Sequence, residues 1–171
     1  MSLLKNYARS QNVKKTIVVG VIGYPNVGKS SIINSLKRSK AANVSANPGC
    51  TKTLQTIKLD HHINLIDSPG VLFAAGESQA DLVLRNCVKV EQMEDPITAV
   101  VDLVSRVPSE SLMEVYRIAS FASPQEFISH VAHKRGKLKA GGVPNLAAAA
   151  TTILKDWTSG VIPFYTIPPA N

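Results

Sequence analysis

Cysteine is nearly absent from this chain of 171 residues: Cys50 and Cys87 are the only two. Two thiols make neither a disulfide framework nor a zinc set, and their scarcity suits a reducing compartment. Four histidines are scattered without a Cys or carboxylate at ligand spacing, which argues against a transition-metal centre; His61-His62 fits a tight turn. No apolar run approaches the ~20 residues of a membrane span, so no membrane role is expected. Met1–Ser10 lacks the long apolar core of a secretion signal. Acids are also scarce in the first part of the chain. Residues 1–75 hold ten Lys/Arg against two acids, whereas residues 76–171 hold nine against ten. Within that second part, Lys134-Arg-Gly-Lys-Leu-Lys139 packs four cations into six residues. The overall charge of +7 exceeds what a nucleotide needs and suits a polyanionic partner such as RNA. A hydrophobic content of 44% requires a folded chain.

What is present is concentrated in Gly23-Tyr-Pro-Asn-Val-Gly-Lys-Ser30, a complete G-x-x-x-x-G-K-S loop. The β-branched run Thr16–Ile22 before it predicts a buried strand. After it, Lys29–Arg38 reads as a helix with Ile32, Ile33 and Leu36 on one face. Strand, glycine-rich loop and helix together make this a phosphate site. Gly23 and Gly28 let successive N–H groups point at a β-phosphate, and the helix adds its positive end. Asn26, Val27, Gly28, Lys29, Ser30 and Ser31 are expected to wrap the phosphates. Lys29 reaches the β- and γ-phosphates, and the Ser30 hydroxyl ligates Mg²⁺.

Past the helix, Asn47-Pro-Gly-Cys-Thr-Lys-Thr53 is a polar loop, followed by two strands, Leu54–Leu59 and His62–Ile66. The short link around Asp60-His61 predicts an antiparallel hairpin. The second strand delivers Asp67-Ser-Pro-Gly70, a D-x-x-G sequence. Phosphate loop, threonine loop, hairpin and D-x-P-G, in that order, is the arrangement of switch-type GTPases. Thr51 is then the switch threonine joining Ser30 on Mg²⁺, Asp67 acts on the ion through water, and the Gly70 N–H meets the γ-phosphate. Lys29, Thr51 and Gly70 are the expected catalytic set. Val71 stands where many GTPases carry a water-orienting glutamine, so slow intrinsic hydrolysis is expected. No N-K-x-D base-reading sequence follows. Either the gene is truncated, or the domain is circularly permuted with its guanine-reading half upstream of residue 1.

The remainder reads as helical. Asp95-Pro96 opens a helix through Ile97–Val104 rather than a strand. Ser109 is expected to cap a helix carrying Leu112, Val115, Tyr116 and Ala119, and Ser123-Pro-Gln-Glu126 reads as a capping box. Asn145 opens an alanine-rich helix with Leu146, Ala150, Ile153, Leu154 and Trp157 on one face, and Gly160 ends it. The tail from Pro163 is extended and proline-rich.

The G-x-P-N-V-G-K-S loop, Pro48-Gly-Cys-Thr51 and Asp67-Ser-Pro-Gly-Val71 together resemble the circularly permuted GTPases of ribosome assembly. Leu84-Arg-Asn-Cys-Val-Lys89, Ala132-His-Lys-Arg-Gly-Lys137 and Asp156-Trp-Thr-Ser-Gly160 look like the nucleostemin-like branch, as does Pro168-Pro169. The resemblance implies a nucleolar (nuclear) GTPase that binds GTP/GDP and Mg²⁺ and assists maturation of the large ribosomal subunit. It also implies contact with the pre-ribosomal particle, with rRNA expected at 134–139. Similar GTPases with an apolar residue in place of the glutamine often use K⁺, here held partly by Asn26. The fold class expected is α/β, a partial, circularly permuted P-loop GTPase sheet followed by a small all-α domain. Residues 1–14 are expected as a linker helix, 15–76 as the GTPase segment and 77–171 as the helical domain with its tail. Open strand edges would favour self-association. Two other classes stay open at this point: a P-loop ATP-binding protein, and an RNA-binding module that holds nucleotide without turnover.

Overall fold

The computed structural model describes residues 2–8, 16–39, 41–45, 49–71, 76 and 78–165. Residues 9–14 of the expected linker helix, Asn47 and Pro48 of the threonine loop, and the tail from residue 166 lie outside these. The chain divides into two compact units, Met1–Ala74 and Ala75–Asn171.

The first unit is built on three strands in the order β1-β3-β2. β1 (Ile17–Val21) runs parallel to β3 (Ile63–Asp67), and β2 (Gln55–Asp60) pairs antiparallel with β3. The hairpin between β2 and β3 turns at His61-His62, where the Asp60 carboxylate accepts the His61 N–H at 2.7 Å. A parallel neighbour needs a crossover, and α2 (Lys29–Lys37) supplies it. Ile33 on α2, Ala42 after it, Ile57 on β2 and Leu65 on β3 form the small core. α1 (Ser2–Ala8) buries Ala8 and pairs Lys5 with Asp60 at 3.7 Å.

Two expectations here are corrected. β1 is not a buried strand: as an edge of the sheet it alternates between half-buried and exposed residues, with Val18 58% exposed. The other correction concerns α2. Ile33 is fully buried and Leu36 packs beside it, but Ile32 is 54% exposed. Consecutive helical residues project about 100° apart, so a helix seated on a sheet through Ile33 turns Ile32 aside.

The second unit is helical: α3 (Gln79–Leu84), a 3-10 turn at Val90–Gln92, α4 (Pro96–Arg106), α5 (Ser109–Tyr116), α6 (Pro124–Lys134) and α7 (Leu146–Thr158). Leu103, Leu112, Phe127, Ile128, Val131, Ile153 and Leu154 are fully buried in one core. Each such side chain contributes roughly 1.5–3 kcal/mol through removal from water. Side-chain caps set the starts. Asp95 accepts from Ile97 and Thr98, Ser78 from Asp81, and Asn145 from Ala148, each worth ~1 kcal/mol. Residues 97–104 are helical, as the Asp95-Pro96 signal implied. The Trp157 indole donates to the Leu84 carbonyl at 2.7 Å, tying α7 to the end of α3.

Two capping assignments differ from expectation. α5 begins at Ser109 with Pro108 in the cap position and no side-chain cap. The fixed proline φ places the chain for a helix that then starts one residue early. At α6 Ser123 does accept from the Glu126 N–H, but the Glu126 carboxylate accepts from Ala122 rather than from Ser123. The box is therefore open by one residue. The extended backbone at Ser123 brings the Ala122 N–H within 2.6 Å of the carboxylate.

Candidate functional site

Every residue expected in the phosphate site, from Gly23 to Gly70, belongs to the first unit. β1 and β3 end in register, Val21 opposite Asp67, so the loop leaving one strand lies beside the carboxylate ending the other. The Ser68 hydroxyl fixes this junction by donating to the Val21 carbonyl at 2.7 Å.

Between β1 and α2 the loop folds back on itself. Asn26 (φ 57°) and Gly28 (φ 93°) both have left-handed backbones, the conformation that turns consecutive N–H groups to one side. Gly28 caps α2 without a side-chain acceptor, so the N–H groups of the first helical turn face no side chain of their own. A helix start of that kind attracts an anion. Lys29 is 8% exposed, and its ammonium donates to the Gly23 carbonyl at 3.0 Å and the Tyr24 carbonyl at 2.6 Å. An ammonium has three donors; two anchor it to the loop and one remains.

Ser30, Thr51 and Asp67 converge. The Ser30 hydroxyl donates to Asp67 Oδ2 at 2.7 Å and stands 3.2 Å from Thr51 Oγ1. Because the single Ser30 proton is committed to the carboxylate, Thr51 is the donor of the second bond. Asp67 is 1% exposed, and its Oδ1 is buried without a hydrogen-bond partner among the described residues. A buried carboxylate oxygen with no partner is costly unless a cation or ordered water meets it. Two hydroxyls and a carboxylate form a hard, all-oxygen donor set, which suits Mg²⁺.

Two contacts were not legible as motifs. A Cβ placed on Gly70 would overlap the backbone N and Cα of Pro25. The Val71 N–H also donates to the Gly23 carbonyl at 3.1 Å. The D-x-x-G turn is therefore packed directly on the phosphate loop, and only glycine fits there. Pro25 after Tyr24 and the glycine of D-x-x-G were both visible in the sequence, but nothing in their spacing showed that they touch. Asn34 is the other addition. Its side chain accepts from Ala41 and Ala42 and donates to the Ala42 carbonyl at 2.9 Å, fixing the chain that leaves α2.

Val27 and Ser31 are exposed, at the loop and on the first turn of α2. Val71 is 44% exposed and, being apolar, offers no group to orient a water molecule.

In the second unit, Lys134 to Lys139 run from the end of α6 into a short hairpin. Leu138 bridges Pro144, Lys139 donates its N–H to the Val143 carbonyl at 2.8 Å, and Asn145 donates to the Lys137 carbonyl at 2.8 Å. Arg135 pairs with Asp156 at 3.4 Å and lies 5.8 Å from the Tyr116 ring centre. Tyr116 donates to the same carboxylate at 3.0 Å. Burial and that neighbouring charge push the Tyr116 phenol well above its ordinary range. No helix among the described residues is long and apolar enough to cross a membrane.

Residues 18–134 match the family model of the 50S ribosome-binding GTPase. The chain is 47% identical over 170 residues to guanine nucleotide-binding protein-like NSN1 of Arabidopsis thaliana, covering 99% of this chain and 29% of that protein. It is 45% identical to guanine nucleotide-binding protein-like 3-like protein of Bos taurus, covering 100% of this chain and 30% of the relative. The chain thus spans less than a third of the length of these curated relatives. Among solved structures, GDP-bound YlqF of T. maritima aligns with a TM-score of 0.56 at 29% identity, covering 92% of this chain and 62% of that one.

Proposed function

Because this chain belongs to the 50S ribosome-binding GTPase family, we propose that it carries the phosphate- and Mg²⁺-binding part of a GTP-hydrolysing switch that assists large ribosomal subunit assembly. The observation that supports this best is the meeting of Ser30, Thr51 and Asp67 around a carboxylate oxygen with no partner. Ser30 and Thr51 would hold the ion directly and Asp67 through water; bound there, Mg²⁺ neutralises charge on the β- and γ-phosphates.

The chain's own groups do the rest. N–H groups from Asn26 through Ser31 cradle the phosphates, and Lys29 hands its free donor to the β- and γ-oxygens. The Gly70 N–H meets the γ-phosphate, so Pro25 and Gly23 feel whether that phosphate is present. Turnover is slow because Val71 holds no water. Asn26, on the left-handed step of the loop, is the residue proposed to help hold K⁺ as the missing transition-state charge.

Beyond the site, the proposal follows what relatives are called. Homologues of this chain include nuclear/nucleolar GTPase 2 of Arabidopsis thaliana at 40% identity, which supports a nucleolar address. The cations between Lys134 and Lys139 are proposed to meet rRNA on the pre-ribosomal particle. Edge strand β1, whose Val18 is 58% exposed, is proposed as a surface for self-association.

Hydrolysis compared in potassium and sodium chloride tests the reading. GTP is expected to turn over on the order of tenfold faster in potassium, since one well-placed cation is worth at least ~1.4 kcal/mol at the transition state. Equal rates in the two salts would remove Asn26 from the K⁺ role. Equal use of ATP would show that these residues, which include no N-K-x-D sequence, do not themselves choose the base; no turnover in either salt would overturn the GTP-hydrolysing reading.

A further inference from the structure

The second unit carries a cleft that the phosphate site does not use. It has a volume of about 360 Å³ and is lined by Ile118, Ala119, His130, His133 and Lys134. Its floor is apolar, and two imidazoles stand one turn apart on its α6 wall. The opposite wall exists because Arg117 takes a left-handed backbone (φ 50°) that stops α5, after which Ile118 donates its N–H to the Met113 carbonyl at 3.2 Å.

Lys134, at the end of α6, lines the cleft, and the chain continues from it within three residues into the basic hairpin. Gly141 and Gly142 (φ 80° and 79°) close its tip, and the three backbone ties between Lys137 and Asn145 hold Lys137 and Lys139 on a defined finger. Lys134, Lys137 and Lys139 have no ion-pair partner among the described residues. Between residues 115 and 154 the only acid is Glu126. Its carboxylate is already engaged, by the Ala122 N–H and by His130 Nε2 at 3.9 Å.

We infer that this cleft accepts one unstacked base of a single-stranded RNA, with Lys134, Lys137 and Lys139 on the flanking phosphates. The inference rests on the RNA contact proposed above and gives that contact a site. A polyanion without bases satisfies the three lysines but leaves the apolar cleft and its imidazoles unexplained. An RNA duplex hides its base faces, whereas unpaired bases stack on aromatic rings, histidine included. His133 lines the cleft and is exposed, and it is the ring on which the base stacks; His130 lines it half-buried.

The test is binding of a fluorescently labelled single-stranded oligoadenylate of about ten nucleotides, a length typical of such sites, across a salt series. His133→Ala is expected to weaken binding roughly tenfold without changing the salt dependence, because one stacked base is worth about that much. His133→Phe restores the affinity, since it keeps a ring and removes the imidazole. Lys137→Ala with Lys139→Ala flattens the slope of log affinity against log salt by ~1.4, two charges at ~0.7 each. Both histidine positions are exposed or half-exposed, so folding is preserved. An unchanged affinity for His133→Ala would overturn the inference. So would competition by inorganic polyphosphate or polyglutamate as strong as by RNA of equal charge. Should the unsubstituted protein bind no single-stranded RNA at all, the RNA reading fails together with it; salt-dependent binding indifferent to His133 removes the base cleft alone.

Discussion

Lys29→Ala is expected to lower nucleotide affinity by about a hundredfold or more while leaving the fold intact. Charge-assisted hydrogen bonds contribute roughly 1.5–3 kcal/mol each, and Lys29 is proposed to make them with the β- and γ-phosphates. The substitution also frees the Gly23 and Tyr24 carbonyls, which the ammonium now holds at 3.0 and 2.6 Å. A loop that loses this internal clamp no longer presents its N–H groups in a fixed array, so the loss exceeds that of one contact. The hydrophobic core of this unit rests on Ile33, Ala42, Ile57 and Leu65, none of which depends on Lys29. Helical content by circular dichroism should therefore be unchanged when a fluorescent nucleotide no longer binds. Retained affinity would place the phosphates elsewhere.

Gly70→Ala is the second large effect. The new methyl would occupy the space of the Pro25 backbone, so the Asp67–Gly70 turn must lift away from the phosphate loop. Overpacking of this kind costs roughly 1–3 kcal/mol, and lifting the turn also breaks the Val71-to-Gly23 hydrogen bond. Gly20 is the matched control, since a Cβ there meets nothing within 4 Å. Urea unfolding should show the first unit destabilised by Gly70→Ala and barely altered by Gly20→Ala. The Gly70 variant should also lose any preference for a γ-phosphate, because its N–H leaves the place where that phosphate is proposed to be read. Equal stability of the two variants would show that the turn is not seated on Pro25.

Much of this was readable before any coordinates. Glycines, lysine and serine at fixed spacing carry their chemistry in the backbone, so the loop of residues 23–30 announces itself. The hairpin was legible because two short β-branched runs stood too close for any other connection. The helix over Pro96–Arg106 was legible from its cap, although its Val-rich run would equally suit a strand. What escaped was set by packing across the chain. Whether Ile32 or Ile33 faces inward depends on how α2 seats on the sheet. The contact between Pro25 and Gly70 joins residues 45 positions apart. The Glu126 carboxylate reaches Ala122 rather than Ser123 by a local backbone angle that residue type does not fix.

The two units also differ in how far sequence carries to function. In the first, the residue types needed for phosphate and Mg²⁺ are few and their order is diagnostic. In the second, the same cations suit any polyanion until the cleft of His130 and His133 supplies a reason to prefer bases.

Every nucleotide-binding role proposed for the first unit depends on Ser30, Thr51 and Asp67 forming the cation half of a nucleotide site. The most direct measurement is the affinity for a non-hydrolysable fluorescent GTP analogue with Mg²⁺ and after its chelation, in the unsubstituted protein and in Ser30→Ala. Affinity in the unsubstituted protein should drop at least about tenfold on chelation, as expected when a divalent ion bridges phosphate and hydroxyls. Ser30→Ala should bind weakly in both conditions and respond little to the metal. Equal affinity with and without Mg²⁺ in the unsubstituted protein would contradict the assignment, leaving the partnerless oxygen of Asp67 without the role given to it here.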